Sequence, residues 1–449
     1  MPADVPLGDV QAPRGLLGRR GALLAGGALS AVAVLAAACA APAADGAPST
    51  SSASGQQVNV RTMGAKGDGV SDDTAPVQSA LNQGAASSAP VVFPAGRYRI
   101  TQTLQARAPL YVVGQGGAGE SVLVFEQTST PGMHVLQSSD HPAYPPPLIQ
   151  VHGLGFHYSG TAAALLLDES KISAVLQDTF VTTCRFDLTG GSGTGIESLN
   201  QRGVILSQNH FLGSGSGTGI ALVDSSNPKV ISNLFFKLEY GVHGEKGSAS
   251  TIPGLPAGQH KIFDAGCVFI GNDLVFAKNG LRFDNWELVQ AVGNIIDECD
   301  YAIHLVDCFH SVIDSNYVAT TGAGAALLME TQTGSFGENV IRGNIIRSYK
   351  ESSAGTANVE ILGASAQAPV DSVIIEGNVI GSYSQYGLHL RNAVNVLVST
   401  NIFSHSPGPV EGIPVYDETP GSATISGNVV DGPVVGKGDV ISGNQLKHG

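Results

Sequence analysis

From residue 154 onward the apolar positions fall into one recurring phrase: an apolar stretch, a small or polar residue, an asparagine, then two mostly apolar positions. It reads Ser207-Gln208-Asn209-His210-Phe211, Ile231-Ser232-Asn233-Leu234-Phe235 and Val292-Gly293-Asn294-Ile295-Ile296. The same frame recurs at Asn272, Asn316, Asn344, Asn378, Asn401, Asn428 and Asn444, and upstream with Leu154 and Cys184 in place of asparagine. From Asn209 the spacings are 24, 39, 22, 22, 28, 34, 23, 27 and 16 residues. A near-constant step with occasional excursions describes coils of fixed size whose turns accept insertions. Around each asparagine the segments are short, β-branched and alternating, with no helical period.

This pattern predicts an all-β chain, a single-stranded right-handed parallel β-helix. Each coil carries three short strands and stacks on the next at about 4.8 Å, so a dozen coils make a rod of roughly 50–60 Å. Asparagine suits the turn because it tolerates left-handed backbone angles. Its amide can also donate to one neighbour in a stack and accept from the other. Isolated asparagine turns in a sandwich would not hold one frame ten times. An open coil end would expose strand edges and apolar interior, and residues 58–105 read as a cap. There Asp72 or Asp73 can N-cap a short helix with Val77, Ala80 and Leu81 on its apolar face. Val91-Val92-Phe93-Pro94-Ala95-Gly96-Arg97-Tyr98-Arg99-Ile100 then reads as strand, turn, strand.

The stretch Met63-Gly64-Ala65-Lys66-Gly67-Asp68-Gly69-Val70-Ser71-Asp72-Asp73-Thr74, followed by Gln78-Ser79-Ala80-Leu81 and Val91-Val92-Phe93-Pro94-Ala95-Gly96-Arg97-Tyr98, resembles the opening of the pectate-lyase-like β-helix superfamily. Rhamnogalacturonase- and polygalacturonase-related proteins, epimerase-like relatives and phage tailspikes share that opening. With the repeats, the resemblance covers residues 58–449. It implies the fold and an action on polysaccharides, but not the catalytic residues. The Asn-Thr-Asp, Asp-Asp, Gly-His-Asp and Arg-Ile-Lys set of polygalacturonases has no counterpart here, and the single Asp-Asp, Asp72-Asp73, lies in the cap. The arginine-containing signature of calcium pectate lyases is not evident either.

The first residues set the compartment. Residues 1–20 carry Arg14, Arg19 and Arg20; residues 21–38 are small and apolar apart from Ser30; Cys39 follows. This predicts an export signal over residues 1–39; the Arg19-Arg20 pair favours the twin-arginine route, with an ordinary signal whose two arginines fall together as the alternative. Ala37-Ala38-Cys39 resembles the end of a lipobox with Ala36 where leucine is usual, making Cys39 the candidate lipid anchor; cleavage near Ala41-Pro42-Ala43 is the competing reading. Residues 40–57 are predicted to be a flexible tether and residues 58–449 the β-helix domain.

Composition narrows the partners. The chain's net charge is −14, and the first 39 residues contribute two aspartates and three arginines, so the remainder stands near −15. So acidic a chain is a poor general binder of nucleic acid or anionic membrane, and its expected contact with a membrane is through the lipid anchor alone. Cys184, Cys267, Cys299 and Cys308 have no metal-ligand spacing; disulfides and free core cysteines both remain open. No cofactor is indicated, and calcium is left open.

Two further patterns are structural. Gly114-Gln115-Gly116-Gly117-Ala118-Gly119 matches a dinucleotide fingerprint, but the strand-like Ser121-Val122-Leu123-Val124-Phe125 follows where a helix is required. Asp68-Gly69-Val70-Ser71-Asp72-Asp73 lacks the spacing and closing glutamate of a calcium loop.

The candidate chemistry lies in a second phrase, glycine or a small residue followed by alternating positions. Side chains two apart on a strand share a face. Aligned coil on coil, one outward column runs Ala221, His243, Arg282, His304, Leu328 and later His389. The next runs Val223, Glu245, Asp284, Val306, Glu330 and Arg391. The expected catalytic set is His243, Glu245, Arg282, Asp284 and His304. Tyr240, Lys261, Trp286, Tyr301 and Asp307 are the expected substrate contacts, with Lys261 on an insertion at residues 246–266. Glu245 and Asp284 could serve hydrolysis, which needs two carboxyls. Arg282 with His243 or His304 could serve β-elimination, which needs a cation at a uronate and a base. His and Arg together tilt the balance to elimination. The expected function is cleavage of a polysaccharide, uronate-bearing by preference, outside the cytoplasm. Alternatives are a noncatalytic, tailspike-like glycan binder, in which the charges merely pair across coils, and a uronan epimerase.

Overall fold

The computed structural model describes residues 57–136, 148–169, 179–245, 266–321, 324–334, 336–349, 357–383, 385–405 and 412–446. Cys39, the expected export signal and the expected tether lie outside these residues, as does Lys261. The described strands form three parallel sheets of 16, 15 and 13 strands. Successive strands visit the first, second and third sheet in rotation, so each strand pairs with the equivalent strand of the next coil. This is the right-handed parallel β-helix expected.

The asparagine turn joins first to second sheet, and it is the corner whose length stays constant. From Ile149–His152 and Gly155–Tyr158 to Val440–Ser442 and Gln445–Leu446, two residues separate the strands at each such corner. The reason is a continuous amide ladder. In each interior step the backbone N–H and Nδ2 of one asparagine both donate to Oδ1 of the next, as from Asn209 to Asn233 at 2.9 and 3.1 Å. Nδ2 also donates to a carbonyl of the preceding coil, such as Val181 O at 2.9 Å. The ladder runs unbroken through Asn444, reached from Asn428 at 2.9 Å, and begins where the Cys184 N–H donates to Asn209 Oδ1 at 3.0 Å. An insertion here would break a buried chain of satisfied polar groups.

The left-handed residue is not the asparagine, contrary to expectation, but the one before it. Gln208, Ser232, Gly293 and Gly343 have φ of 57°, 55°, 65° and 63°. The left-handed angle therefore falls on a glycine or on an exposed side chain such as Gln208 or Ser232, and the asparagine keeps ordinary angles and turns inward.

Inside the coils, Phe156, Phe186, Phe211 and Phe235 stack with ring centroids 4.7, 4.9 and 4.8 Å apart. The four described cysteines are free and buried; burial lifts the thiols of Cys184, Cys299 and Cys308 to about 12, so they are inert core groups. Helix α1, Thr74–Ser87, buries Val77, Ala80 and Leu81 as expected. Its cap is divided between the two aspartates. Asp73 holds the N-cap position without a capping bond, and its carboxylate takes Lys66 and Gly67 N–H instead. Asp72 Oδ1 accepts from Thr74 N at 3.0 Å. The glycine-rich stretch is a turn leading into strand Ser121–Phe125, and Asp68 closes a tight local turn by accepting from Val70 and Ser71. Among the described residues no helix is long and apolar enough to cross a membrane.

Candidate functional site

The third sheet carries the expected columns. Ala221, His243, Arg282, His304 and Leu328 are successive register partners, and His389 follows after Glu360. In the adjoining column Asp284 opposes Val306, which opposes Glu330. The described pairing of strands Tyr240–Glu245 and Asn279–Asp284 runs to Gly244 opposite Phe283. Glu245 is exposed at the strand end.

Asp284 is the hub. Its Oδ2 lies 2.9 Å from His243 Nε2, one coil back, and 3.0 Å from Arg282 Nε, two residues back on its own strand. Arg282 Nη2 donates to Oδ1 at 3.1 Å, completing a two-pronged contact. Partial burial works against ionisation of Asp284, but the bonds and charges of His243 and Arg282 outweigh it and hold the carboxyl below its ordinary range. Arg282 is raised by the same carboxylate, although its own partial burial opposes the charge.

One coil on, His304 Nε2 lies 3.1 Å from Glu330 Oε1, which also accepts from Gln332 Nε2 at 3.2 Å. The bond from His304 is the main reason the Glu330 carboxyl is held low. His304 is only 7% exposed, and its Nδ1 is buried without a hydrogen-bond partner. His243 is the more open imidazole. Tyr240 stacks on it with centroids 4.8 Å apart and planes 15° apart, and Tyr301 lies against His304 at 5.5 Å.

Two expected substrate contacts are placed elsewhere. Trp286 is fully buried, edge-on to Phe283 with centroids 5.3 Å apart, so it is a core side chain and no surface platform. It follows the strand's end, where the chain turns and parity no longer predicts the face. Asp307 is 1% exposed, and its carboxylate accepts from Gln332 N, Thr333 N and Thr333 Oγ1 at 2.7, 3.4 and 2.8 Å. It therefore closes a turn. Glu330 was visible in the column but went unassigned; the signal was its place one coil beyond His304.

The pairing follows a rule. An imidazole in the outward column meets a carboxylate of the following coil at His134–Asp168 (3.2 Å), His243–Asp284 (2.9 Å), His304–Glu330 (3.1 Å) and His389–Glu418 (2.8 Å). At His243 an arginine, Arg282, also binds the carboxylate. Among the described residues no group of three or more His, Cys, Asp or Glu could hold a metal ion.

Two family profiles match the chain: residues 57–255 match one described as rhamnogalacturonase A/epimerase, pectate lyase-like, and residues 252–428 match the periplasmic copper-binding protein NosD. A mannuronan C5-epimerase of Azotobacter vinelandii is 42% identical over 73 residues, which is 14% of this chain and 7% of that enzyme. The chain thus spans a small part of the curated relatives it matches. Among solved structures, the catalytic unit of an α-1,3-glucanase from Streptomyces thermodiastaticus superposes with a TM-score of 0.53 at 15% identity, covering 86% of this chain and 69% of that one. The Streptococcus pneumoniae surface adhesin PfbA does so with 0.50 at 13% identity, covering 87% and 97%. These likenesses concern the fold.

Proposed function

Because the chain belongs to the pectate-lyase-like parallel β-helix superfamily, we propose that it is an exported carbohydrate-active enzyme that removes the proton α to a uronate carboxylate and cleaves the polysaccharide by β-elimination. The observation that carries this reading is the sharing of Asp284 between His243 and Arg282. Arg282 is the cation that meets the substrate carboxylate through the N–H groups Asp284 leaves over. His243 is the base, its ring oriented by Asp284. The C–H electron pair forms a double bond to the neighbouring carbon, whose glycosidic oxygen departs and takes up a proton. Tyr240, stacked on His243, flanks the bound sugar.

Hydrolysis fits less well. It needs a carboxyl kept protonated near neutral pH beside an ionised one. Asp284 is shifted the other way, and Glu245 is exposed at its strand's end, where burial does not keep a carboxyl protonated. Epimerisation is the second reading. It is favoured by the 73-residue stretch shared with a mannuronan C5-epimerase and begins with the same proton removal.

The test is incubation of the purified chain with acidic polysaccharides in D2O, following unsaturated-uronate absorbance, reducing ends and deuterium incorporation at the α-carbon. Absorbance with reducing ends means elimination; deuterium without either means epimerisation. Reducing ends alone would replace the proposal with hydrolysis. Binding with no chemical change would leave a glycan-binding protein whose paired charges are structural.

A further inference from the structure

A tyrosine three residues before a histidine opens three third-sheet strands: Tyr240 and His243, Tyr301 and His304, Tyr386 and His389. In each, the phenol ring lies against the imidazole, at 4.8, 5.5 and 5.4 Å between centroids. The first two units belong to the site already described. The third stands apart, because Leu328 and Glu360 lie between His304 and His389 in the column. Three register steps at about 4.8 Å put it roughly 14 Å along the axis.

The third unit is also built differently. The next coil's register partner of His243 is Arg282; that of His389 is Tyr416. Tyr416 stacks on Tyr386 with centroids 4.7 Å apart and planes 10° apart, and both rings are partly exposed. Arg391 lies two residues beyond His389 on the same face, is exposed, and makes no ion pair among the described residues. The carboxylate meeting His389 is Glu418, which no arginine shares among the described residues. Aromatic rings and a guanidinium without an ion pair are suited to holding a sugar acid. The arrangement lacks the carboxylate shared by histidine and arginine on which the proposed proton removal depends.

We propose that Tyr386, His389, Arg391 and Tyr416 form a second saccharide-binding site, which holds a uronate residue of a polymer whose other part lies at the His243 centre. This rests on the proposed action on a uronate polymer. The phenol rings meet the sugar's apolar face, and Arg391 meets its carboxylate. Only a chain long enough to cover the intervening coils occupies both places, so the second site favours long polymers and does not touch the reacting bond.

The experiment measures affinity and turnover of trimers and decamers of galacturonate and of alginate with the full chain, Arg391→Ala and Tyr416→Ala. The expected result is an affinity for decamers lower by about tenfold in Arg391→Ala, the scale of one charge-assisted hydrogen bond, with trimer turnover unchanged. Tyr416→Ala should do the same, and circular dichroism confirms that each variant is folded. Decamer affinity unchanged in both folded variants overturns the second site while leaving the proposed reaction standing. If the unaltered chain binds no acidic oligosaccharide, both readings fall.

Discussion

The asparagine ladder makes a quantitative claim about stability, and Asn316→Ala tests it at the middle of the rod. Asn316 Oδ1 accepts from Asn294 N and Asn294 Nδ2, both at 2.9 Å. Its Nδ2 donates to Ala291 O at 2.8 Å and Asn344 Oδ1 at 3.0 Å. Alanine orphans two buried donors on Asn294 and removes a donor from Ala291 O. Asn344 Oδ1 keeps the backbone N–H of residue 316. At roughly 1–3 kcal/mol for each buried group left unpaired, and with Asn294 Nδ2 keeping its bond to Phe269 O, the expected cost is about 3–6 kcal/mol. That is a large part of the stability of an ordinary domain, about 5–15 kcal/mol. Asn444 makes the same kind of contacts but is half-exposed at the last described coil, so water replaces what Asn444→Ala removes and the cost should be about 1 kcal/mol or less. Urea unfolding can be followed by the fluorescence of Trp286, the chain's one tryptophan, which is wholly buried. The ladder argument fails if the two variants cost the same, or if Asn316→Ala costs less than about 1 kcal/mol.

Other consequences follow from single residues. Asp284→Asn should cut turnover by about a hundredfold, the scale of a lost acid–base partner, with folding intact; unchanged turnover would remove Asp284 from the reaction. Trp286→Ala should cost about 3–5 kcal/mol as a cavity while leaving the KM of the remaining folded enzyme unchanged, whereas a raised KM would restore Trp286 as a substrate contact. Burial raises the Glu169 carboxyl to about 8, partly offset by Arg202. A raised acid is favourable to folding while protonated, so its contribution is lost as pH climbs from about 4.5 towards 8. Glu169→Gln should therefore gain stability over the unaltered protein across that window, on the order of a few kcal/mol by pH 8, and a difference independent of pH would refute the assignment. Cys39→Ser should move the exported protein from the membrane to the soluble fraction if Cys39 is the lipid anchor, and no redistribution would count against lipidation.

The coil was legible because one corner of it cannot vary. A buried amide stack tolerates neither an insertion nor a different residue at low cost, so the phrase around Asn209 to Asn444 stays in frame while the other corners drift. The place of the left-handed angle was legible too, in Gly271, Gly293, Gly343, Gly377 and Gly427 just before the asparagines. Asparagine's own tolerance of such angles drew attention one residue too far. Trp286 was misplaced for a related reason. Alternation predicts the face only while the chain is extended, and Trp286 follows a strand's end.

Alternation gave the columns of the site but not its pairs. Which carboxylate an imidazole meets depends on the offset between coils, and the repeated diagonal from His to the next coil's Asp or Glu is a property of stacked strands, not of either strand's sequence. That regularity also weighs the two readings of the cluster. His134 and His389 make the same diagonal as His243 and His304, so the diagonal alone is ordinary cross-strand pairing. What sets His243 apart is the arginine next in its column. Arg282 binds a carboxylate that already serves His243, with Ala221 on one side of the cluster and Leu328 on the other. Solubility would be met by any polar side chain on this face. Pairing would be met by histidine and aspartate alone. A guanidinium added to a satisfied pair, with N–H groups left over, is the feature neither requirement explains and the one on which the proposed anionic substrate rests.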